Sequence, residues 1–320
     1  MDSGEIKTTT EQGPRLDCVV AATDLSDSGE IVIAWSLAIA RAHGAKLHIV
    51  HAIARTVPLL QRWEPTSPFT RPARIAAQKQ LDELEARLKV DWPEVETHLL
   101  SDRPSASTIK VAEWERAKLI VQAATRHRGV HRVQLGSTAE RVAERAVCPV
   151  LSLRPGTSPI SQLPKRVLIC TDFSLESDAA ILAGIEIVQG EKRPAEFQLV
   201  TVLETPVGLN SEPELESRWA DYKETCQAML QGRLDFFLSI AGSGTSKPRS
   251  TLLEGVPAEV IVDLARKEEV DLIVLGSRGT FTAGRAILGS VSKRVMQTAP
   301  CPVLTVPSLL SRRMRNPARY

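Results

Sequence analysis

Glycine and serine residues near the C-terminal end of the chain have the spacing of an anion-binding loop. The chain reads Gly-Ser-Arg-Gly at 276–279, continues for nine residues, and then reads Gly-Ser-Val-Ser at 289–292. Gly276 and Gly279 lack a Cβ, so the backbone there can approach a ligand closely and point successive N–H groups at it. Gly289 and Ser290 fall where a helix would begin, so first-turn N–H groups and the Ser290 hydroxyl can face an anion. The pattern predicts a phosphate-binding loop; a tight connection and a helix cap are the structural alternative.

A carboxylate in the same half of the chain has the chemistry to complete such a site. Asp172 follows the apolar run 167–170 in the sequence Thr-Asp-Phe-Ser. Because a carboxylate accepts hydrogen bonds from hydroxyl or amine groups and repels phosphate, we expect Asp172 at the nucleoside end of a ligand. The alternative is that Asp172 caps the following helix or closes an Asx turn.

The chain lacks the spacings that mark several familiar catalytic sites. It has no Gly-x4-Gly-Lys-Ser/Thr phosphate loop, no His-x-x-Glu-His cluster and no Gly-x-Ser-x-Gly nucleophile elbow. Asp172 and Glu204 are carboxylates that could hold Mg²⁺, but a nucleotide and water could equally hold the ion. We therefore predict ligand binding rather than turnover, no catalytic residue and no metal-ligating residue, and leave slow nucleotide hydrolysis open.

Alternating strand and helix patterns surround these residues. Short apolar runs are typical of buried parallel strands, and apolar residues at helical spacing indicate the helices that cover them. In the first half the predicted strands begin at 17, 46, 95, 119 and 148, and the predicted helices end near 43, 89, 116 and 146. Residues 55–71 contain three prolines and are predicted to be a loop over the strand ends.

The same order recurs in the second half, which indicates a duplicated domain. Thr-Asp-x-Ser occurs at 23–26 and 171–174, Leu-Ile-Val at 119–121 and 272–274, Gly-Ser at 136–137 and 289–290, and Cys-Pro-Val at 148–150 and 301–303. Each half is therefore predicted to be a Rossmann-like α/β domain, with a doubly wound, parallel five-stranded sheet and helices on both faces. Ligands of such sheets bind beyond the carboxyl ends of the strands, where the loops after strands one and four meet.

The predicted organisation has two domains with short flanking segments. It consists of a disordered leader at 1–15, a first domain at 16–154, a linker at 155–164 that is rich in Pro, Ser and Gly, a second domain at 165–307 and a basic tail at 308–320. The basic loop 126–132 and the tail are predicted to be solvated surface segments. Contact with phosphates or with an acidic partner is the alternative.

Composition excludes several classes of protein. The chain has 320 residues, a hydrophobic content of 43% and a net charge of +2, which fit a globular core and give no indication of nucleic-acid binding. Five cysteines without a Cys-x-x-Cys pair argue against a disulfide framework and a zinc site, and those in apolar runs are expected to be buried and inert. No apolar run approaches the roughly 18 residues that a membrane span needs. We expect a cytoplasmic protein without a membrane partner.

With these motifs, the chain resembles the tandem, UspA-like members of the universal stress protein family. The resemblance rests on Gly-x2-Gly-x9-Gly-Ser at 276–290, Asp-x-Ser at 172–174, Gly-x-Pro-Ala at 255–258 and Cys-Pro-Val-Leu-Thr-Val at 301–306. It implies an adenine nucleotide α-hydrolase-like fold with ATP, accompanied by Mg²⁺, as the cofactor. It also implies that Asp172 and the backbone around Val202 hold adenosine. The implied contacts to ribose and phosphates come from the glycine-rich loop, that is from Gly276, Gly279, Gly289, Ser290, Val291 and Ser292.

The first half departs from this pattern. Aligned without a gap, Ala123 replaces Gly276 and Arg126 replaces Gly279, although Gly136 and Ser137 are present. A Cβ at 123 and a long cationic side chain at 126 would crowd the backbone. We therefore predict one competent nucleotide site and one degenerate half.

The leading hypothesis is an ATP-binding, nucleotide-dependent regulator of the stress response. Nucleotide occupancy of the second half would favour one conformation, which an unknown protein partner recognises. A nucleotide-independent interaction scaffold is the alternative, and a slow ATPase is less favoured. The halves are predicted to pack as an intramolecular pseudo-dimer through their last strands, because the apolar edges 150–153 and 303–306 need covering, and a homodimer remains a further option.

Overall fold

A computed structural model of the chain describes residues 16–53, 71–124, 135–189, 194–206, 208–209, 213–241, 248–279 and 288–307. The predicted leader, the basic loop 126–132, the basic tail and all but the last residue of the predicted loop 55–71 lie outside these residues. In the part of the chain that is described, no helix combines the length and the apolar character that crossing a bilayer requires.

The first repeat alternates strand and helix as predicted. Its elements are β1 (Cys18–Ala22), α1 (Asp27–His43), β2 (Lys46–Ala52), α2 (Arg71–Lys89), β3 (Val95–Leu100), α3 (Pro104–Trp114), β4 (Leu119–Ala123), α4 (Ser137–Arg145) and β5 (Val150–Leu153). Helix α2 begins two residues before the predicted Ala73, because Pro72 lies in the first turn, where a missing N–H costs no hydrogen bond. Strand β5 begins at Val150 rather than at Cys148.

The second repeat has the same order. Its elements are β6 (Arg166–Cys170), α5 (Leu175–Val188), β7 (Glu196–Leu203), α6 (Pro213–Ala241), β8 (Arg249–Glu254), α7 (Pro257–Lys267), β9 (Leu272–Gly276), α8 (Ser290–Thr298) and β10 (Val303–Val306). Both repeats also place a non-glycine residue at positive φ after the first strand, Leu25 at 60° and Phe173 at 64°. The duplication therefore extends to unusual backbone conformations.

The ten strands form one continuous sheet, in the order β3-β2-β1-β4-β5-β10-β9-β6-β7-β8. Each repeat contributes five parallel strands, as predicted, but the two sheets are not separate, because β5 and β10 pair antiparallel. The predicted contact between the last strands is therefore present within the chain. It pairs the apolar edges that the sequence analysis identified as needing cover.

Apolar side chains pack on both faces of the sheet, but the clusters that they form differ in extent. On one face, side chains from α1, α2, α5 and α6 join a single apolar cluster that runs across both repeats. On the other face, α3 covers mainly the first repeat while α7 and α8 cover the second. Alternate residues of a strand point to opposite faces, so Leu47 and Ile49 of β2 join the shared core while Val50 joins the other face.

All five cysteines are buried and free, as expected for inert thiols. Burial is the main cause that raises the pKa of Cys18 and the pKa of Cys301, each to about 12. These thiols stay protonated at neutral pH.

Candidate functional site

The predicted site residues lie at the carboxyl edge of the second repeat's sheet, where the strand order reverses. Strand β6 stands between β7 and β9, so the chain leaves β6 in one direction and later returns to its other side. The loop after β6 carries Asp172, and the loop after β9 carries Gly279. This reversal is the place where α/β sheets bind ligands.

Asp172 and Gly279 are in direct proximity. The Asp172 side chain is exposed, and its Oδ1 accepts hydrogen bonds from Ser174 N (3.1 Å) and Ser174 Oγ (2.5 Å). A Cβ built on Gly279 would lie 2.6 Å from Asp172 Oδ2, which is closer than any real contact of this kind. Only glycine fits at 279 while the carboxylate keeps this position.

The structural alternative for Asp172, a helix cap or an Asx turn, is confirmed in part. Ser174, rather than Asp172, is the N-cap of α5, and its Oγ accepts from Ser177 N at 3.2 Å. Asp172 closes an Asx-type turn onto Ser174 N. The turn holds the Asp172 carboxylate towards Gly279, so the structural role and the binding role do not exclude each other.

Hydrogen bonds fix both ends of the glycine-rich loop. Gly289 N donates to Ser277 O at 2.8 Å, and Ser277 N donates to Val306 O at 2.8 Å. The buried Ser292 hydroxyl donates to Gly276 O at 2.7 Å. The backbone entering the loop is therefore attached to the first turn of α8 and to β10. In this arrangement Ser292 positions the loop through its hydroxyl.

The first turn of α8 presents its N-terminus beside this loop. Gly289 is the N-cap, Ser290 begins the helix and is exposed, and Val291 is half-buried against the apolar cluster of the second repeat. First-turn N–H groups have no partner within a helix and favour an anion. The exposed Ser290 hydroxyl and these N–H groups are thus the groups here that suit a phosphate.

Val202 lies beside this region with only its backbone available to a ligand. Its side chain packs against the core of the second repeat. Val200 O accepts from Thr171 N at 2.9 Å, so the peptide groups of Val200 point towards β6. Because alternate residues of a strand point the same way, the peptide groups of Val202 also face this side, just beyond the last residue of β6. They are directed at the space next to Asp172.

An arginine that the sequence analysis did not identify holds the loop after β6. Arg233 on α6 donates to both carboxylate oxygens of Asp178 (3.0 and 3.2 Å) and to Phe173 O (3.2 Å). Burial raises the pKa of Asp178, opposed by Arg233 and assisted by the negative charge of Asp172. No local pattern marks Arg233, because it lies 60 residues from Phe173.

The first repeat has the same backbone hydrogen bonds as this site but lacks its distinguishing glycine and serine residues. Gly136 N donates to Ala124 O at 2.8 Å, and Ala124 N donates to Leu153 O at 2.7 Å, which repeats the pattern around Gly289. Ala139 stands where the second repeat has Ser292, 153 positions later, so that hydroxyl tie has no equivalent. Ala123 ends β4 as Gly276 ends β9, while Arg126 lies outside the described residues.

A cavity of about 260 Å³ lies elsewhere, between α1 and α2 of the first repeat. Its walls include Thr23, Leu25 and Leu84, and its rim carries the exposed ion pair between Arg87 and Glu30 at 2.9 Å. It does not include the glycine-rich loop of the second repeat, so we do not assign the nucleotide to it.

Comparison with known proteins places the fold and the repeat in one family. The sequence profile of the universal stress protein family matches residues 17–154 and again 164–307. A universal stress protein of Methanocaldococcus jannaschii is 36% identical over 146 residues, which are 45% of this chain and 82% of that protein. One from Mycolicibacterium smegmatis is 25% identical over 319 residues, covering 94% of this chain and 99% of its own length.

Solved structures agree at the level of the fold. The crystal structure of a universal stress protein from Archaeoglobus fulgidus superposes with a TM-score of 0.68 at 20% identity and covers 91% of this chain and 98% of its own. The protein is thus a tandem α/β protein with a glycine-rich loop at a strand-order reversal. It belongs to the universal stress protein family, with two copies of the family domain in one chain.

Proposed function

We propose that the second repeat binds ATP, with Mg²⁺ carried on the phosphates, and that occupancy of this site regulates the protein's interaction with a partner protein in the stress response. The observation that carries the proposal is the fit between Gly279 and Asp172, where a Cβ would lie 2.6 Å from the carboxylate. Glycine at 279 lets the carboxylate keep this position, and a Cβ at Gly276 would lie 3.0 Å from Arg278 O and 3.3 Å from Glu176 C, so the loop is suited to close approach by a ligand. The loop's spacing also resembles the ATP-binding pattern of the family.

Different residues of the site suit different parts of the nucleotide, according to their chemistry. The Asp172 carboxylate accepts from ribose hydroxyl or adenine amine groups, and the Val202 peptide groups can pair with the adenine edge. The N–H groups at the start of α8 and the Ser290 hydroxyl favour the phosphates. Ser292 keeps Gly276 in place, and Arg233 keeps the β6 loop in place, so both prepare the site before a ligand arrives.

In this proposal, regulation follows from thermodynamic linkage between nucleotide binding and partner binding. A ligand that binds only the ordered form of the loop stabilises that form by an amount set by its concentration relative to its dissociation constant. A partner that recognises the ordered form then binds more tightly when ATP is present, and the coupling is reciprocal. No residue of the site is placed as a general base in this proposal, so we assign no catalytic role.

The first test identifies any bound ligand. Purified chain is denatured by heat, and the released small molecules are identified by mass spectrometry, with MgATP added to a second sample. ATP at about one molecule per chain is expected, because one repeat has the complete loop. A site that stays empty with added MgATP would favour the scaffold, and sustained accumulation of ADP would favour an ATPase.

The second test compares two equivalent carboxylates. Both Asp172 and Asp24 accept from a serine N–H two residues later at 3.1 Å, but only Asp172 faces a glycine-rich loop. Asp172→Asn is expected to weaken MgATP binding roughly 10- to 100-fold, the value of a charge-assisted hydrogen bond, in calorimetric titration. Asp24→Asn is the matched control and should bind as the wild type does. Equal losses in the two variants would contradict the assignment.

The glycine itself provides a third test. Gly279→Arg copies the residue of the first half and should abolish MgATP binding, because a side chain at 279 displaces the Asp172 carboxylate. Circular dichroism and thermal unfolding should show a folded protein. Retained affinity in a folded variant would exclude the loop as the binding element.

A further inference from the structure

A second group of polar side chains lies on the other repeat, away from the glycine-rich loop. His48 in the middle of β2 is 3% exposed, and its Nδ1 lies 3.0 Å from Nε2 of His98 on β3. Glu115 Oε2 is 3.7 Å from His48 Nε2, and Glu96 Oε2 is 3.8 Å from His48 Nδ1. One ligand-type atom from each of His48, His98 and Glu115 lies within 4.8 Å of the others. No other such group occurs within the described ranges.

The fold brings these residues together from distant parts of the sequence. In the parallel register His48 is opposite Glu96, and Val50 is opposite His98, so both β3 residues lie on the same sheet face as His48. Helix α3 runs back over this face and ends at Trp114, which places its C-cap Glu115 above the imidazoles. Glu115 precedes β4, so the cluster lies towards the amino ends of the strands, opposite the edge that carries the nucleotide loops.

The second repeat provides an internal comparison. By strand register, Gln198 corresponds to His48, Thr251 to His98 and Arg249 to Glu96. Glu268 is the C-cap of α7, as Glu115 is of α3. Gln198 Nε2 donates to Thr251 Oγ1 at 3.2 Å, and Arg249 pairs with Glu268 at 3.6 Å. A neutral hydrogen bond and an ion pair thus complete the same region there. Two imidazoles are not needed to fold this part of the domain.

We propose that His48, His98 and Glu115 bind one divalent transition-metal ion of the zinc class. Two imidazole nitrogens and a carboxylate are the ligand types that zinc and its neighbours take, with water or Glu96 at a remaining position. Two nitrogens about 2.0–2.1 Å from a tetrahedral zinc are roughly 3.3 Å apart, so the observed 3.0 Å needs only a small separation of the rings. On binding, the imidazole that donates its N–H to the other ring must take its other tautomer, with the proton on its remaining ring nitrogen, so that both rings ligate in the neutral form.

The burial of His48 and the access from solvent are both compatible with a metal site. A metal ligand must be a neutral imidazole. Burial, the largest influence, lowers the pKa of His48, with His98 and Lys46 acting in the same direction and Glu115 and Glu96 opposing them. The half-buried His98 and the exposed Glu96 leave a path for the ion from solvent.

The test measures metal binding to the full chain without an affinity tag. Chain freed of metal with a chelator is titrated with Co²⁺, whose visible absorption reports tetrahedral coordination, and then with Zn²⁺ by displacement and calorimetry. One ion per chain is expected. The double variant His48→Gln/His98→Thr copies the second repeat, should remain folded by circular dichroism, and should lose more affinity than the roughly 10- to 100-fold cost of an outer-shell partner.

Control variants separate this site from other imidazoles. His51, whose Nδ1 lies 3.0 Å from Thr23 O, is on the same strand, and His127 and His131 belong to the basic loop. His51→Gln and His127→Ala/His131→Ala should keep the Co²⁺ spectrum and the stoichiometry. Absence of Co²⁺ and Zn²⁺ binding by the folded wild type, or unchanged binding by His48→Gln/His98→Thr, would overturn the proposal and leave a hydrogen-bonded histidine pair. These outcomes do not depend on ATP binding.

Discussion

At the scale of single residues, the loop after β9 depends on small residues that leave room for neighbouring groups and on hydrogen bonds that hold its backbone. Gly279 leaves room for the Asp172 carboxylate, and the Ser292 hydroxyl holds the carbonyl of Gly276 at 2.7 Å. In the first repeat alanine replaces both Gly276 and Ser292, at 123 and 139. The two repeats thus differ at the few positions that prepare the loop, while the hydrogen bonds around them are shared.

The Ser292 bond yields a prediction at this scale. Ser292→Ala copies Ala139 and leaves Gly276 O without its buried donor, so the free energy of unfolding should fall by about 1 kcal/mol and MgATP affinity by several-fold. Denaturant unfolding and calorimetry measure the two effects. Ala139→Ser in the first repeat is the control and should leave ATP affinity unchanged. Wild-type affinity in Ser292→Ala would mean that the loop does not need this tie.

At the scale of elements, α1 and α5 meet across the boundary between the repeats. In the last turn of α1, His43 Nε2 donates to Ile187 O of α5 at 3.3 Å. Burial raises the pKa of the neighbouring Glu186 to about 7, opposed by Lys118 and assisted by Asp17 of the first repeat. Burial lowers the pKa of His43. The contact therefore contains two groups whose charging disfavours the folded state.

These shifts predict a dependence of stability on pH. Glu186 keeps a proton in the folded state up to about pH 7 that it loses near 4.5 when unfolded. Its contribution to stability is therefore complete below 4.5 and is lost as pH rises through 7. Relative to the wild type, Glu186→Gln should gain on the order of 3 kcal/mol in unfolding free energy between about pH 4 and about pH 8.

Denaturant unfolding at several pH values provides this measurement. His43 acts in the opposite direction, since its lowered pKa reduces stability as pH falls, but it is present in both proteins and cancels in the difference. A difference between the variant and the wild type that does not change with pH would show that Glu186 is solvated in the folded protein.

At the scale of the whole molecule, the repeats are related by an approximate two-fold axis. Leu151 and Leu304, which correspond in the two repeats, lie opposite each other where β5 and β10 pair. Near this axis Lys293 of α8 forms a salt bridge with Glu140 of α4, and these positions also correspond, 153 residues apart. Glu140 raises the pKa of Lys293. Unlike charges at equivalent positions favour pairing of the two different repeats over pairing of like ones.

A charge reversal tests this arrangement. Lys293→Glu places two carboxylates together and should lower the unfolding midpoint, while Lys293→Glu combined with Glu140→Lys should restore most of it. A double-mutant cycle from denaturant unfolding isolates the pair. Independent, additive effects of the two substitutions would show that the contact contributes nothing to the pairing of the repeats.

Much of the fold and part of the site could be predicted from sequence because they depend on local patterns. Apolar periodicity marked the strands and helices, and the recurrence of short motifs such as Thr-Asp-x-Ser and Cys-Pro-Val marked the duplication. Glycine spacing indicated the loop after β9, and parallel topology indicated that it would lie beside Asp172. The ATP and Mg²⁺ assignments remain predictions, as do the domain limits.

What the sequence by itself determined was the order of elements and the residues of one loop. Tertiary structure decided which distant groups meet: β5 with β10 in one sheet, Arg233 with Phe173 O, Ser292 with Gly276 O, and His48 with His98 and Glu115. Such contacts join residues separated by 16 to 60 positions or more and depend on strand register and side-chain direction. Neither is encoded in any short stretch of chain, because both are set only when the elements pack against one another.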